Sequence, residues 1–243
     1  MTHRRTLLAS ALVALVLVAT RADAQSRPAY FDEPAAIQRI GAQTGSARVP
    51  VVVFLPATGG TSQRMFEQAR AAIPFPSYVA ILPAGAPSTS DYLPNFGGFV
   101  AWMESRITAD LERAKATHPV DASRVYLVGF SLGGDTGWAM LAHHPETFAG
   151  AVVMGSRASA RPSSTAKRTM LSRGCRVSFG MGRSDDATRV SGVTRTYASV
   201  HDAGIASEFV RYDGSHEAPD AATIRAMVGF VMRPPAGADA GVR

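Results

Sequence analysis

A chain of 243 residues suits one substantial domain and is short for two. With 46% hydrophobic and 18% charged residues it can build a core unaided, and Cys175, its single cysteine, excludes an internal disulfide and a CxxC metal or redox site. The formal charge of +6 is scattered, without a Lys/Arg block or interleaved aromatics, so a nucleic-acid role has no support.

The first residues read as an address rather than as part of a fold. His3, Arg4 and Arg5 precede an apolar stretch over 7–19, and Ala22-Asp23-Ala24 offers small residues where a signal peptidase cuts. Residues 1–24 are therefore expected to be a cleavable signal, by a general or a twin-arginine route, and the protein to be exported to a periplasm or secreted. The apolar stretch is too short for a comfortable bilayer span, so no stable membrane span is expected after cleavage.

Residues 25–48 are polar and carry Pro28, Pro34 and Gly45; they read as a lead-in with one short helix near 35–40. A single domain is expected over 49–232. Residues 49–55 and 78–82 are short, β-branched apolar runs bounded by Pro or Gly, the pattern of strands buried on both faces. A helix is predicted over 99–118, where Val100, Met103, Ile107, Leu111 and Ala114 make one apolar stripe. Residues 125–130 form the next strand, and 132–144 a helix that stops before Pro145. Further strands are expected at 148–154, 175–181 and 207–212, with helices near 188–203 and 221–232; Cys175 heads an apolar run and reads as a buried structural thiol. The tail over 233–243, rich in Pro and Gly, is expected to be disordered. Strand and helix alternating in this way imply an α/β fold: a mostly parallel sheet covered on both faces.

Gly129-Phe130-Ser131-Leu132-Gly133 fits G-x-S-x-G, a pattern that chance supplies in roughly one chain in ten of this size, so its context must carry the argument. It stands where a strand ends and a helix begins. So sharp a turn demands small residues two before and two after its centre, and lifts the Ser131 hydroxyl above the sheet beside a helix N-terminus. There the backbone N–H of Leu132 can face a developing oxyanion. A serine hydroxyl needs a base. Of the six histidines, His3 leaves with the signal, while His118, His143, His144 and His201 lie at helix ends or inside a helix. His216 alone follows a strand late in the chain, in the loop Asp213-Gly214-Ser215-His216, and is the candidate base. The base needs an acid, and Asp185 in Gly182-Arg183-Ser184-Asp185-Asp186 is preferred to Asp186, which reads as a solvated or capping residue. The preceding strand ends in Gly155-Ser156-Arg157 and offers no carboxylate. A second oxyanion donor is expected from the loop 56–61, through the backbone N–H of Thr58. The segment 84–99, with Tyr92, Phe96 and Phe99, is the expected source of substrate contacts.

At these residues the chain resembles the α/β-hydrolase superfamily, and most closely small exported esterases of the carboxylesterase, feruloyl-esterase and polyhydroxybutyrate-depolymerase-like groups. The likeness spans roughly 49–230 and is densest over 121–134 and 144–150; Gly182 to Asp185 resembles the acid loop of those groups, and Gly214-Ser215-His216 their histidine loop. It implies a compact α/β-hydrolase fold without a large lid, and cleavage of a small-molecule or polymeric carboxylic ester through an acyl-enzyme on Ser131, with neither metal nor organic cofactor. The competing expectation is a non-catalytic binding protein on a retained hydrolase fold. The chain departs from these groups at Pro56-Ala57, where they carry His-Gly, and their leading antiparallel strands are expected to be missing or shortened.

Overall fold

In a computed structural model, the structure describes residues 27–42 and 47–233. The expected signal over 1–24 and nearly all of the expected tail lie outside the described residues. Among the described residues, seven strands form one sheet in the order β1-β3-β2-β4-β5-β6-β7. They are β1 (Ala36–Ile40), β2 (Val49–Leu55), β3 (Tyr78–Leu82), β4 (Val120–Phe130), β5 (Gly150–Met154), β6 (Arg176–Gly182) and β7 (Ala206–Tyr212). All neighbours pair in parallel except β1, which runs antiparallel to β3. Seven helices accompany them among the described residues: α1 (Ser62–Ala69), α2 (Thr89–Tyr92), α3 (Phe96–Thr117), α4 (Leu132–His143), α5 (Ser164–Ser172), α6 (Ala187–His201) and α7 (Ala221–Val231).

Two apolar layers flank the sheet, as its unalternating strands require. One joins Val51, Val53 and Leu55 of β2 to Phe99, Ile107 and Leu111 of α3, Trp138 of α4 and Val193 of α6. The other joins Val52 and Phe54 to Met65 and Phe66 of α1 and to Ile224 and Met227 of α7. Helices α3 to α6 therefore cover one face and α1 and α7 the other. Each large side chain fully buried there, such as Trp138, Phe54 or Ile81, contributes roughly 1.5–3 kcal/mol of transfer free energy. Helix α4 is buried over Leu132 to Ala142 on every side, so it is a fixed post on which a site can stand. Cys175 is a buried free thiol, and burial raises its pKa.

Two expectations are corrected. The segment near 35–40 is strand β1, not a helix, so one antiparallel strand does precede β2. Ile37 and Ile40 stand at a helical spacing of three, which makes the run look amphipathic. In a strand the same spacing sends them to opposite faces, and Ile37 does pack on the first layer while Ile40 packs on the second. Helix α3 begins three residues earlier than expected, because Asn95 caps it by accepting from the Gly98 amide at 2.8 Å. Its stripe of Val100, Met103, Ile107, Leu111 and Ala114 is buried as read. Buried Arg106 of the same helix donates to the carbonyls of Tyr30, Glu33 and Ala84, which fastens the segment before β1 onto the domain.

Candidate active site

Strand β4 ends at Phe130 and α4 starts at Leu132, leaving Ser131 alone to make the turn. It does so at φ 55° and ψ −117°, a left-handed conformation that costs a non-glycine residue roughly 1–3 kcal/mol. The surroundings enforce it: the Ser131 amide donates to the Met154 carbonyl at 2.8 Å, and its carbonyl accepts from the Asp135 amide at 2.9 Å. The turn is too tight for side chains at its flanks. A Cβ on Gly129 would stand 2.3 Å from the Gly133 carbonyl carbon, and one on Gly133 would stand 2.6 Å from the Leu55 carbonyl oxygen. The glycines of the motif are thus required by contact distances.

Ser131 Oγ lies 2.9 Å from His216 Nε2, and His216 Nδ1 lies 2.9 Å from Asp185 Oδ2. The Asp185 side chain is 1% exposed and that of His216 36%, so the series runs from a dry carboxylate to an imidazole open to solvent. The other oxygen of Asp185 accepts from the Asp186 amide at 2.7 Å. Asp186 itself turns away and caps α6, accepting from the amides of Thr188 and Arg189 at 3.0 and 3.1 Å.

The acid and histidine loops are sewn together. Arg183 and Ser184 donate their amides to the carbonyls of Tyr212 and Gly214 at 2.9 and 3.0 Å. Gly182 lets them meet, since a Cβ there would stand 2.1 Å from the Ser215 carbonyl oxygen. Tyr212 Oη donates to the Glu217 carbonyl at 2.8 Å and pins the far side of the histidine loop. Burial, and then the Asp185 charge, push the Tyr212 phenol up to about 12, which keeps it a neutral donor. The Phe130 ring lies 5.1 Å, centroid to centroid, from the His216 ring and fixes its plane.

In the loop after β2, the Gly59 amide is taken by the Pro87 carbonyl at 2.7 Å and the Gly60 amide by the Ala57 carbonyl at 3.0 Å. The amides of Ala57 and Thr58 have no hydrogen-bond partner among the described residues. Leu132, the first residue of α4, has an amide with no acceptor inside the helix. Thr58 Oγ1 and Tyr92 Oη are 3.0 Å apart, linking this loop to α2. A cleft of about 300 Å3 opens between the loop, α1 and the histidine, lined by Thr58, Gly60, Met65, Phe130, His216 and Ala218 among others.

Of the three aromatics expected to contact substrate, Tyr92 and Phe96 line a second cleft, whereas Phe99 is a core residue. It packs edge-on against Phe31 and Tyr92 at 5.5 and 5.9 Å and reaches neither cleft. Phe99 was expected both to open the helix and to end the substrate-contacting segment; with Asn95 starting α3 at Phe96, it is already inside the helix and turned to the core. Sequence reasoning passed over Asp135, buried in α4, whose Oδ1 accepts from Ser156 Oγ at 2.7 Å and from the Arg157 amide at 2.8 Å. Its place one turn after Ser131 was the available signal.

The sheet order, the strained turn and the two flanking loops together define the class: the chain has the α/β-hydrolase fold. A family model described as "alpha/beta hydrolase fold" matches residues 87–173. Solved structures with the same fold include a ferulic acid esterase, 12% identical over 85% of this chain and 95% of that one, with a TM-score of 0.59. An esterase named PE8 is 17% identical over 82% of this chain and 99% of its own, and the Bacillus cereus carboxylesterase is 14% identical over 82% and 94%; both have a TM-score of 0.57. A comparison with curated proteins returns no match.

Proposed function

We propose that the protein is an exported serine esterase in which Ser131, His216 and Asp185 form the catalytic triad. The observation that carries this reading is the unbroken hydrogen-bonded series from Ser131 Oγ through His216 to the buried Asp185 carboxylate, with 2.9 Å at each step. Ser131 Oγ attacks the ester carbonyl carbon while His216 Nε2 takes its proton. Asp185, accepting from Nδ1–H, holds the tautomer that leaves Nε2 free to accept, and stabilises the imidazolium. The backbone N–H of Leu132 and that of Thr58 receive the oxyanion. Collapse breaks the bond to the alcohol oxygen, which leaves with the proton from His216. Water, activated by the same imidazole, then hydrolyses the acyl-enzyme and restores Ser131. The leaving oxygen has to come within reach of Nε2, so the cleft that contains His216 takes the alcohol. Similar folds that are esterases support an ester as substrate, and Arg4, Arg5 and Ala22-Asp23-Ala24 support export.

One experiment tests both parts. The protein is expressed with its leader in a secreting host, treated with a fluorophosphonate and measured by mass spectrometry before and after digestion. A chain beginning at Gln25 with its adduct on Ser131 is expected. A folded protein left unlabelled at Ser131 overturns the esterase reading, and a leader still attached overturns export.

A further inference from the structure

The second cleft, of about 180 Å3, is lined by Tyr92, Leu93, Phe96, Asp135, Arg157 and Ser159. It lies against α3 and α4, on the opposite side of the sheet's edge from the cleft against α1 that holds His216. Ser131 bonds His216 of the first cleft, and Asp135 of the second follows it one turn along α4. On the esterase reading, with the leaving alcohol on the His216 side, the second cleft is the one left for the acyl part of the ester. Its volume resembles that of cavities that take one benzene ring, about 150 Å3, so it suits a single ring or a short chain.

Asp135 is the unusual member of this lining. It is only 8% exposed, and both hydrogen bonds to its side chain, from Ser156 Oγ and the Arg157 amide, fall on Oδ1. Its Oδ2 has no partner among the described residues, yet it is not sealed within protein; the cleft is where it is reached. A carboxylate gains from the N-terminal turn of α4, but a nearly buried charge with one oxygen unspent is expensive unless something completes it. Arg157 lines the same cleft, and its guanidinium is likewise unpaired among the described residues. That cation argues against a cationic ligand group. A hydroxyl satisfies both residues at once, donating to Asp135 Oδ2 and accepting from Arg157.

We infer that Asp135 is a specificity-determining residue of this site, its Oδ2 accepting a hydrogen bond from a hydroxyl carried by the acyl part of the ester. The inference rests on the esterase reading only for the direction in which the substrate lies. A site built to bond a hydroxyl rejects the analogue that lacks it, because desolvated groups are left unpaired.

The test compares kcat/KM of the mature protein on two 4-nitrophenyl esters of matched acyl size, one ending in a hydroxyl and the other in a methyl. The hydroxylated ester is expected to be favoured at least tenfold. Asp135→Asn keeps the Oδ1 acceptor for Ser156 and Arg157 but turns a donor toward the cleft, and should lower that preference at least tenfold. Arg157→Ala, at an exposed position, should lower it by a smaller factor. A wild-type preference near one, or a preference untouched in Asp135→Asn, overturns the inference even with Ser131 fully active. Should no ester be hydrolysed, NMR titration with the two corresponding free acids reads the cleft by itself. Tighter binding of the hydroxylated acid, lost in Asp135→Asn, supports it; equal or absent binding overturns it.

Discussion

The carboxylate of Asp185 has both oxygens engaged, Oδ2 by His216 and Oδ1 by the next amide, while that of Asp186 serves two amides of α6. These contacts separate the effects of replacing them. Asp185→Asn puts an amide where Nδ1–H needs an acceptor and disturbs the tautomer, so kcat/KM should fall by about 10³–10⁴. Asp186→Ala removes a helix cap, so it should cost about 1 kcal/mol of unfolding free energy while the rate stays within a few-fold. Ester kinetics with denaturant unfolding of both variants check this; an inactive Asp186→Ala beside an active Asp185→Asn would reassign the acid. At this scale the grouping of Ser131, His216 and Asp185 was legible, because each follows a strand and so comes to the same edge of the sheet. Phe99 and Asp135 were not. Whether an aromatic faces a cleft or a core, and which way a carboxylate on a helix points, depends on neighbours from distant parts of the chain.

Among the elements, the acid and histidine loops act as one piece because Gly182 lets β6 end against the carbonyls of Gly214 and Ser215. Gly182→Ala would drive a Cβ to 2.1 Å from the Ser215 oxygen, so one loop has to move. A shift of an ångström at His216 can cost about 10²-fold in rate. The expected outcome is therefore a loss of kcat/KM of that order with the sheet intact, read by ester kinetics beside far-ultraviolet circular dichroism. Unchanged kinetics would show that the loops are not held together at this point. Strands β2 to β6 were legible by their buried apolar runs, and β7 was read as a strand although only Tyr212 of it is buried. Helices α1 and α5 were not legible, for Ser62–Ala69 and Ser164–Ser172 are short and largely polar in sequence. Their caps, Thr61 and Ser163, were present in the sequence but had no long apolar stripe to mark what they began.

For the whole molecule, the parallel sheet follows from the alternation of elements, whereas its edges had to be seen. β1 and β7 are the outer strands, and their partial burial blurs the apolar signal on which the inner strands rely. At β7 this leaves an electrostatic cost. Glu208 stands in register with Ser178 of β6 and accepts from its hydroxyl at 2.6 Å. Burial raises the Glu208 pKa, outweighing the Ser178 hydrogen bond and the nearby Arg233 charge. An acid whose pKa is raised by folding favours the folded state while protonated. That contribution is complete below its unfolded pKa of about 4.3 and is lost as pH rises through the folded value. At neutral pH the ionised Glu208 therefore weighs against the fold. Glu208→Gln keeps the acceptor for Ser178 and carries no charge, so it should raise Tm at pH 7. The difference from the parent should shrink toward zero near pH 4, where the parent's own carboxyl is protonated. Thermal unfolding of both proteins across that range decides the matter. A gain independent of pH would assign the effect to packing, and a loss at pH 7 would mean that the ionised carboxylate has a stabilising partner outweighing its burial.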